Sequence, residues 1–419
     1  SDVCSSDLDG NSASGAGARG GGLSTTERAD DGIAAARAET IHQHPHRDTA
    51  PRREYELSSK ESVTGLQLQA GVRYKGVLVG RVAAIELDRQ APGQVLVRMH
   101  AATLNRVDLY MRDSGAGITH TLPQTMGLDG AGVIEAMDEG EPGLNIGQKV
   151  LVYPAVTCGV CEFCQSSEEV LCTRMSLLGE HRDGTLSEWL SVPARNLVPM
   201  PDGWSFEEAA ALGVNHLTAW RMLVSRARLR AGETVLIFGI GGGVSLAGLQ
   251  LAKAMGARVF VTSTQQDKLD RALALGADGV IHSRQQDVVQ EVMRLTGKRG
   301  VDVVFENVGQ AVWDSALRSA VRGGRIVTCG ATTGDQPGAD LRRVFIRQLQ
   351  ILGSTLGNLE ELQALTRFCE QSGVRPLIEK TYALDDIHAA LDRLASGQQF
   401  GKLRSEERRV GKECLRLCR

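Results

Sequence analysis

Short runs of apolar and β-branched residues, punctuated by turn residues, dominate the chain. GVLVGRVAAIEL (76–87) and GQVLVRMHAATL (93–104) alternate roughly with period two and are separated by APG, the pattern of half-buried strands. GAGVIEAM, QKVLVYP and SEWLSVP continue it, so Val72 to Phe206 reads as a β-rich domain. The period changes at SFEEAAALGVNHLTAWRMLVSRARL. Ser205 and Glu208 form an S-x-x-E capping box there, ahead of apolar residues at helical spacing. Strands and helices then alternate. TVLIF, RVFVT, GVI, DVVFE, RIVT and QILG are six short apolar strands, separated by helical stretches such as LAGLQLAKAMG and DKLDRALALGA. Continuous apolar strands between helices predict a parallel sheet covered on both faces, and six in this order fit a doubly wound dinucleotide-binding fold. LEELQALTRFCEQSG reads as a helix, and RPLIEKTYALDDIHAALDRLASG as a strand plus a helix.

The ends follow no such pattern. SDVCSSDL (1–8) and RSEERRVGKEC onward (404–419) resemble translated adapter sequence and are set aside. On that reading a closing strand after Leu403 is missing. Residues 1–71 are rich in Gly, Ser and aperiodic polar residues, and predict a disordered or non-native leader. The formal net charge of −3, with both signs interspersed, gives no electrostatic reason to expect nucleic acid. No long apolar span or signal-peptide core appears, so neither membrane insertion nor export is expected, and the protein is assigned to the cytoplasm.

Cys158, Cys161, Cys164 and Cys172 follow C-x2-C-x2-C-x7-C spacing. Four thiolates can close a tetrahedron around one zinc ion and leave no open position, which makes the site structural. A disulfide or redox cluster is the competing reading. Phe238 to Ser245 read FGIGGGVS between a strand and a helix. Gly239, Gly241, Gly242, Gly243 and Val244 there predict backbone N–H groups close to a pyrophosphate, with Ser245 at the usual third glycine position. The next strand ends in Thr262, Ser263 and Thr264, with Lys268 beyond and no carboxylate to hold a ribose 2′-hydroxyl. Hydroxyls and an ammonium suit a 2′-phosphate, so NADPH is expected over NADH.

On these motifs, with LNRVDLYMRDSG, GLDGAG, DGTLSEW and FGK, the chain resembles the medium-chain dehydrogenase/reductase superfamily over nearly all of Val72 to Leu403. The resemblance implies a GroES-like catalytic domain (72–206 and 355–403, with a zinc lobe at 158–172) interrupted by a Rossmann domain (207–354). It also implies hydride transfer at the cleft between domains, and a homodimer or homotetramer. Thr218 matches a position beside the nicotinamide and Lys402 a basic residue near the cofactor phosphates; Asn307 and Gly330 are assigned to the cofactor as well. The zinc enzymes of the superfamily carry catalytic ligands where this chain has Asn105, Leu128 and Val214. Leu and Val have no donor atoms, so one structural zinc and no catalytic zinc is expected.

Without a Lewis acid a simple ketone or alcohol is a hard substrate, whereas a quinone or α,β-unsaturated carbonyl spreads the added charge onto an oxygen that hydrogen bonds can hold. The non-metal quinone reductase branch is similar at Asn105, Asp108 and Tyr110. Asn105 is expected to orient the nicotinamide or acceptor, and Tyr110 to line the pocket and donate a hydrogen bond or proton. Asp108 is expected to support them, holding Arg112, and Arg106 to line the cleft. His216 is a candidate for acid–base work. The alternatives are an alcohol dehydrogenase with a non-standard metal site using Asp129 and His181, or a non-catalytic NADPH-binding protein.

Overall fold

The computed structural model describes residues 35–40, 54–58, 71–74, 77–86, 93–113, 124–137 and 143–406. Residues 1–8 and 407–419 lie outside the described residues, as does most of the expected leader.

Strands β1 (Ala35–Thr40), β2 (Glu54–Ser58), β3 (Gly71–Tyr74) and β4 (Val77–Glu86) form an antiparallel sheet in the order β2-β1-β4-β3. Two of these strands fall in the stretch read as a leader without regular structure. The other two were assigned to the same β-rich domain as the strand that follows, yet β4 pairs with β1 and β3. Alternation identifies a strand but does not name its neighbour.

The catalytic-domain sheet contains β5 (Gln94–Thr103), β6 (Asp129–Met137) and β7 (Lys149–Val152). A small ribbon, β8 (Ala155–Val156) with β9 (Ser176–Leu177), brackets the cysteine lobe. β10 (Trp189–Pro193) and β11 (Leu197–Pro199) return to the sheet on β5 and β7. Inward-facing Val95, Val97, Ile134, Val150 and Val192 are fully buried in its core.

The second sheet is parallel, with β12 (Thr234–Ile237), β13 (Arg258–Ser263), β14 (Gly279–His282), β15 (Val301–Glu306), β16 (Ala320–Thr328) and β17 (Gln350–Gly353). Its order, β14-β13-β12-β15-β16-β17, is that of a doubly wound dinucleotide fold, with the switch point between β12 and β15. All six strands lie where the apolar runs place them. The helix Phe206–Ala210 starts at the expected cap. Ser205 Oγ accepts from the Glu208 N–H, and the Glu208 carboxylate accepts from the Ser205 N–H. Two π-helical segments, Leu212–His216 and Arg221–Arg226, interrupt the helical run that follows.

The chain returns to the first sheet through β18 (Ile378–Ala383), the helix Ile387–Ser396 and β19 (Lys402–Glu406). β19 pairs antiparallel with β5, placing Arg404, Ser405 and Glu406 opposite Thr103, Ala102 and Ala101. The closing strand expected to be missing is therefore present, and it runs through residues read as foreign.

Candidate active site and metal centre

Between the two sheets lies a cavity of about 340 Å³. The glycine turn enters it from one side. Gly239 and Gly241 adopt φ of +68° and +116°, which favours glycine. Gly242 caps the helix Gly243–Ala254. Gly243 has no room for a side chain, since a Cβ would lie 2.1 Å from Asn215 Nδ2. Gly242, Gly243 and Val244 line the cavity with Thr218, Asn307 and Gly330, all from the expected cofactor set. Ser245, at the third glycine position, is fully buried; its Oγ donates to Phe238 O and accepts from Asn307 Nδ2 at 3.1 Å. The close helix–strand approach is made instead by Gly248, whose Cβ would meet the Phe305 ring at 3.0 Å.

The end of β13 stands behind this turn. Thr262 Oγ1 accepts from the Gly239 N–H and Ser263 Oγ from the Gln265 N–H, while Thr264 is exposed. Lys268 is buried, not an ordinary solvated helix residue. Its side chain lies against Gly241 and its Nζ donates to Gly397 O at 2.7 Å. Burial pushes its pKa down.

The opposite wall carries Leu104, Asn105, Arg106, Tyr110, Leu128 and Lys402. Asn105, Leu128 and Val214, the three positions aligned with missing zinc ligands, converge on this cavity and present one amide and two hydrocarbon side chains. Asn105 is 3% exposed and its amide is fully engaged. Nδ2 donates to Asp129 Oδ1 at 2.9 Å and to Thr103 O, and Oδ1 accepts from Lys402 Nζ at 2.8 Å. No N–H of that amide is left to orient a nicotinamide or acceptor, contrary to the role expected for it. Lys402 Nζ also donates to Leu104 O, so the ammonium is held by the catalytic domain instead of being turned to a phosphate.

Asp108 Oδ2 accepts from the Asn105 N–H, fixing the loop that carries Asn105. Its Oδ1 is buried with no hydrogen-bond partner within bonding distance among the described residues. Burial pushes the Asp108 carboxyl up to about 7 and nearby Asp129 adds to this, opposed by the Asn105 N–H and Lys402. Arg112 pairs with Asp113 and Asp392, not with Asp108. Tyr110 is half-buried on the cavity wall. His216 is away from the lining; its ring nitrogens face Ala211 O and Gln250 Oε1, and burial pushes it down to about 4, a packed neutral imidazole. His181 is 46% exposed, with Nδ1 accepting from the Leu177 N–H. Neither His181 nor Asp129 belongs to a metal-competent cluster among the described residues.

That cluster is formed by Cys158, Cys161, Cys164 and Cys172 alone, all free thiols with sulfurs within 4.8 Å of one another. Three sulfur pairs are 3.8, 3.5 and 3.6 Å apart. Four Zn–S bonds of about 2.3 Å in a tetrahedron place sulfurs about 3.8 Å apart, so the donor set fits zinc. Backbone N–H groups of Val160 and Cys161 help hold Cys158 down to about 5, whereas burial pushes Cys164 up to about 11. The lobe is tied to the rest of the chain. Arg221 bridges Glu168 and Glu361, and Asn358 Nδ2 donates to Ser167 O. Met175 and Leu177, just beyond Cys172, form part of the cavity wall, so the metal lobe and the cleft share a boundary.

Comparison with known proteins agrees with this architecture. A model of the alcohol dehydrogenase GroES-like domain matches residues 91–202, and one of the zinc-binding dehydrogenase matches 243–371. An alcohol dehydrogenase from Geobacillus stearothermophilus is 32% identical over 325 residues, covering 77% of this chain and 95% of that protein. This chain belongs to the medium-chain dehydrogenase/reductase superfamily. Another superfamily relative, a NAD-dependent alcohol dehydrogenase from Saccharolobus solfataricus, is 30% identical over 74% of this chain and 91% of its own length. Among solved structures, a NAD-dependent alcohol dehydrogenase superposes with a TM-score of 0.72 at 39% identity, covering 75% of this chain and 92% of that one. The alcohol dehydrogenase of Aeropyrum pernix gives 0.69 at 32%, over 78% and 96%. A third family model, MlaD protein, matches residues 53–122 and spans β2 to β5. The GroES-like domain model begins just ahead of β5. As a superfamily member the chain is an oxidoreductase with a nicotinamide cofactor and a small-molecule substrate.

Proposed function

We propose that this dehydrogenase/reductase is an NADPH-dependent reductase of quinones or α,β-unsaturated carbonyls, with one structural zinc and no catalytic zinc. The observation that carries the reading is the convergence of Asn105, Leu128 and Val214 on one cavity, a donor set unable to hold a metal. When bound, reduced nicotinamide supplies the hydride. Gly242, Gly243 and the helix Gly243–Ala254 bind its pyrophosphate, and Thr218, Asn307 and Gly330 shape the nicotinamide end. Tyr110 donates a hydrogen bond to the acceptor. Leu104, Leu128, Val214 and Leu177 exclude water around a flat conjugated ring. The preference for NADPH is supported by Thr262–Ser263–Thr264 at the end of β13, without a carboxylate to hold a ribose 2′-hydroxyl. In the structural centre, the four cysteines would hold zinc as thiolates and close the lobe.

An oligomer is part of this proposal. β17 is an edge strand, Ile351 on it is 43% exposed, and Leu341 and Phe345 on the adjacent helix are 69% and 68% exposed. Such an edge is covered by a second copy of the same surface. Among the described residues no helix is long and apolar enough to cross a membrane. A cytoplasmic location remains part of the proposal.

The test is a panel of quinones, enones, ketones and alcohols with NADPH and NADH, alongside metal analysis. Turnover of conjugated acceptors with NADPH and near one zinc per chain is expected. Alcohol oxidation with near two zinc ions per chain would establish the alternative metal-dependent alcohol dehydrogenase. Tight NADPH binding with no turnover of any acceptor would establish a non-catalytic binding protein.

A further inference from the structure

Lys402 is a buried cation whose bonding leaves one position open. It opens β19 and is 3% exposed. Gly401 before it sits at φ +127°, where a Cβ would lie 2.8 Å from Leu377 O, so the backbone delivering the lysine is pinned. An ammonium has three N–H donors. Two are spent on Leu104 O at 3.0 Å and Asn105 Oδ1 at 2.8 Å. Asp129 Oδ2 lies 3.6 Å away, an ion-pair partner beyond hydrogen-bond distance, and accepts no hydrogen bond among the described residues. Lys402 also borders the cavity beside Leu128 and Tyr110. Burial pushes its pKa down, but Asp129 and Asp108 both oppose that shift and favour the cation. The Asn105 amide, which has no free N–H of its own, holds this cation at the cavity wall.

We propose that Lys402 is the electrophilic residue of the site: its third N–H binds the carbonyl oxygen of a conjugated acceptor, holds the oxyanion formed by hydride addition, and protonates it. This rests on the reductase reading above. In the step, the hydride and its electron pair leave the reduced nicotinamide and form a C–H bond at the β-carbon of the acceptor. The C=C pair becomes the double bond between the α-carbon and the carbonyl carbon, and the C=O pair moves onto oxygen, giving the enolate. The Lys402 N–H bond then breaks and its proton forms the O–H bond. The nicotinamide is oxidised by two electrons, the acceptor is reduced by two, and the lysine amine regains a proton from water. A fixed donor at the developing oxyanion supplies without metal the stabilisation that a Lewis acid would give.

The test uses the full chain and 4-nitrophenol, a phenol whose anion mimics the enolate and absorbs at a different wavelength from the neutral form. Wild-type protein is expected to bind it as phenolate at a pH where free 4-nitrophenol is mostly protonated. Lys402→Met is expected to abolish that shift and slow single-turnover hydride transfer about 10²-fold, with NADPH Kd nearly unchanged. Because Lys402→Met leaves the buried Asp129 carboxylate without its cation, the pair Lys402→Met with Asp129→Asn serves as a folded control, and Lys402→Arg should restore phenolate binding. Bound 4-nitrophenol that stays protonated in the wild type overturns the proposal, as does hydride transfer at the wild-type rate in the folded double variant. If phenolate binding depends on Lys402 but no conjugated acceptor is reduced, the reductase reading fails and the catalytic step with it, while the oxyanion site stands.

Discussion

Asp108 has one carboxylate oxygen bonded to the Asn105 N–H and the other enclosed with no partner within bonding distance among the described residues. In the fold its pKa rises from 3.8 to about 7, chiefly through burial. The folded state therefore holds a proton that the unfolded chain releases. The associated stability is complete below pH 3.8 and is lost as pH rises through about 7. His216 works in the opposite direction: its folded value falls from 6.5 to about 4 through burial, so its contribution is complete above 6.5 and is lost on acidification. Asp108→Asn isolates the first effect. Relative to the wild type, this variant is expected to gain roughly 2–3 kcal/mol between about pH 5 and pH 8, read from urea unfolding at each pH. A stability difference independent of pH would show that Asp108 ionises normally. A second residue-scale prediction concerns the cofactor. Ser263→Asp places a carboxylate at the end of β13, and is expected to weaken NADPH binding at least about tenfold relative to NADH through repulsion of the 2′-phosphate. Equal retention of both affinities would remove the argument from Thr262–Ser263–Thr264.

At the scale of elements, the sequence pattern carried much of the architecture. TVLIF, RVFVT and DVVFE were recognisable as buried parallel strands because no polar residue interrupts them, and the Ser205–Glu208 box marked its helix start correctly. Cysteine spacing was equally legible, since four ligands within fifteen residues need only a short loop to converge. The partners of β3 and β4 were not legible, because period-two alternation is common to every half-buried strand. Nor was the setting of Lys402. Its bond to Asn105 spans 297 residues of chain, and only the return of β19 beside β5 creates it. The lobe itself gives a prediction. Met175 and Leu177, just beyond the cysteines, lie in the cavity wall, so losing a cysteine reaches the cleft. Cys161→Ser is expected to abolish stoichiometric zinc, cost on the order of 3 kcal/mol of stability, and raise KM for the acceptor more than for NADPH. Retained zinc and an unchanged melting temperature would show that the lobe does not depend on its metal.

For the whole molecule, the exposed apolar surface around β17 sets the expected assembly. Two copies related by a two-fold axis would bury Ile351 and Phe345 and pair the open strand edge. Phe345→Glu combined with Ile351→Lys is expected to yield monomers by light scattering, with each subunit still binding NADPH. A wild type that is already monomeric at micromolar concentration would exclude this association.

The pairing of Arg404, Ser405 and Glu406 with β5 also bears on handling of the protein. Those rungs adjoin Leu104 and Asn105, the residues that grip the Lys402 ammonium. Proteolytic trimming, or a purification handle fused directly after Leu403, would remove those rungs and loosen the loop that carries Leu104 and Asn105. A preparation clipped there is expected to keep its dinucleotide-binding half and to lose the setting of Lys402 at the cavity wall.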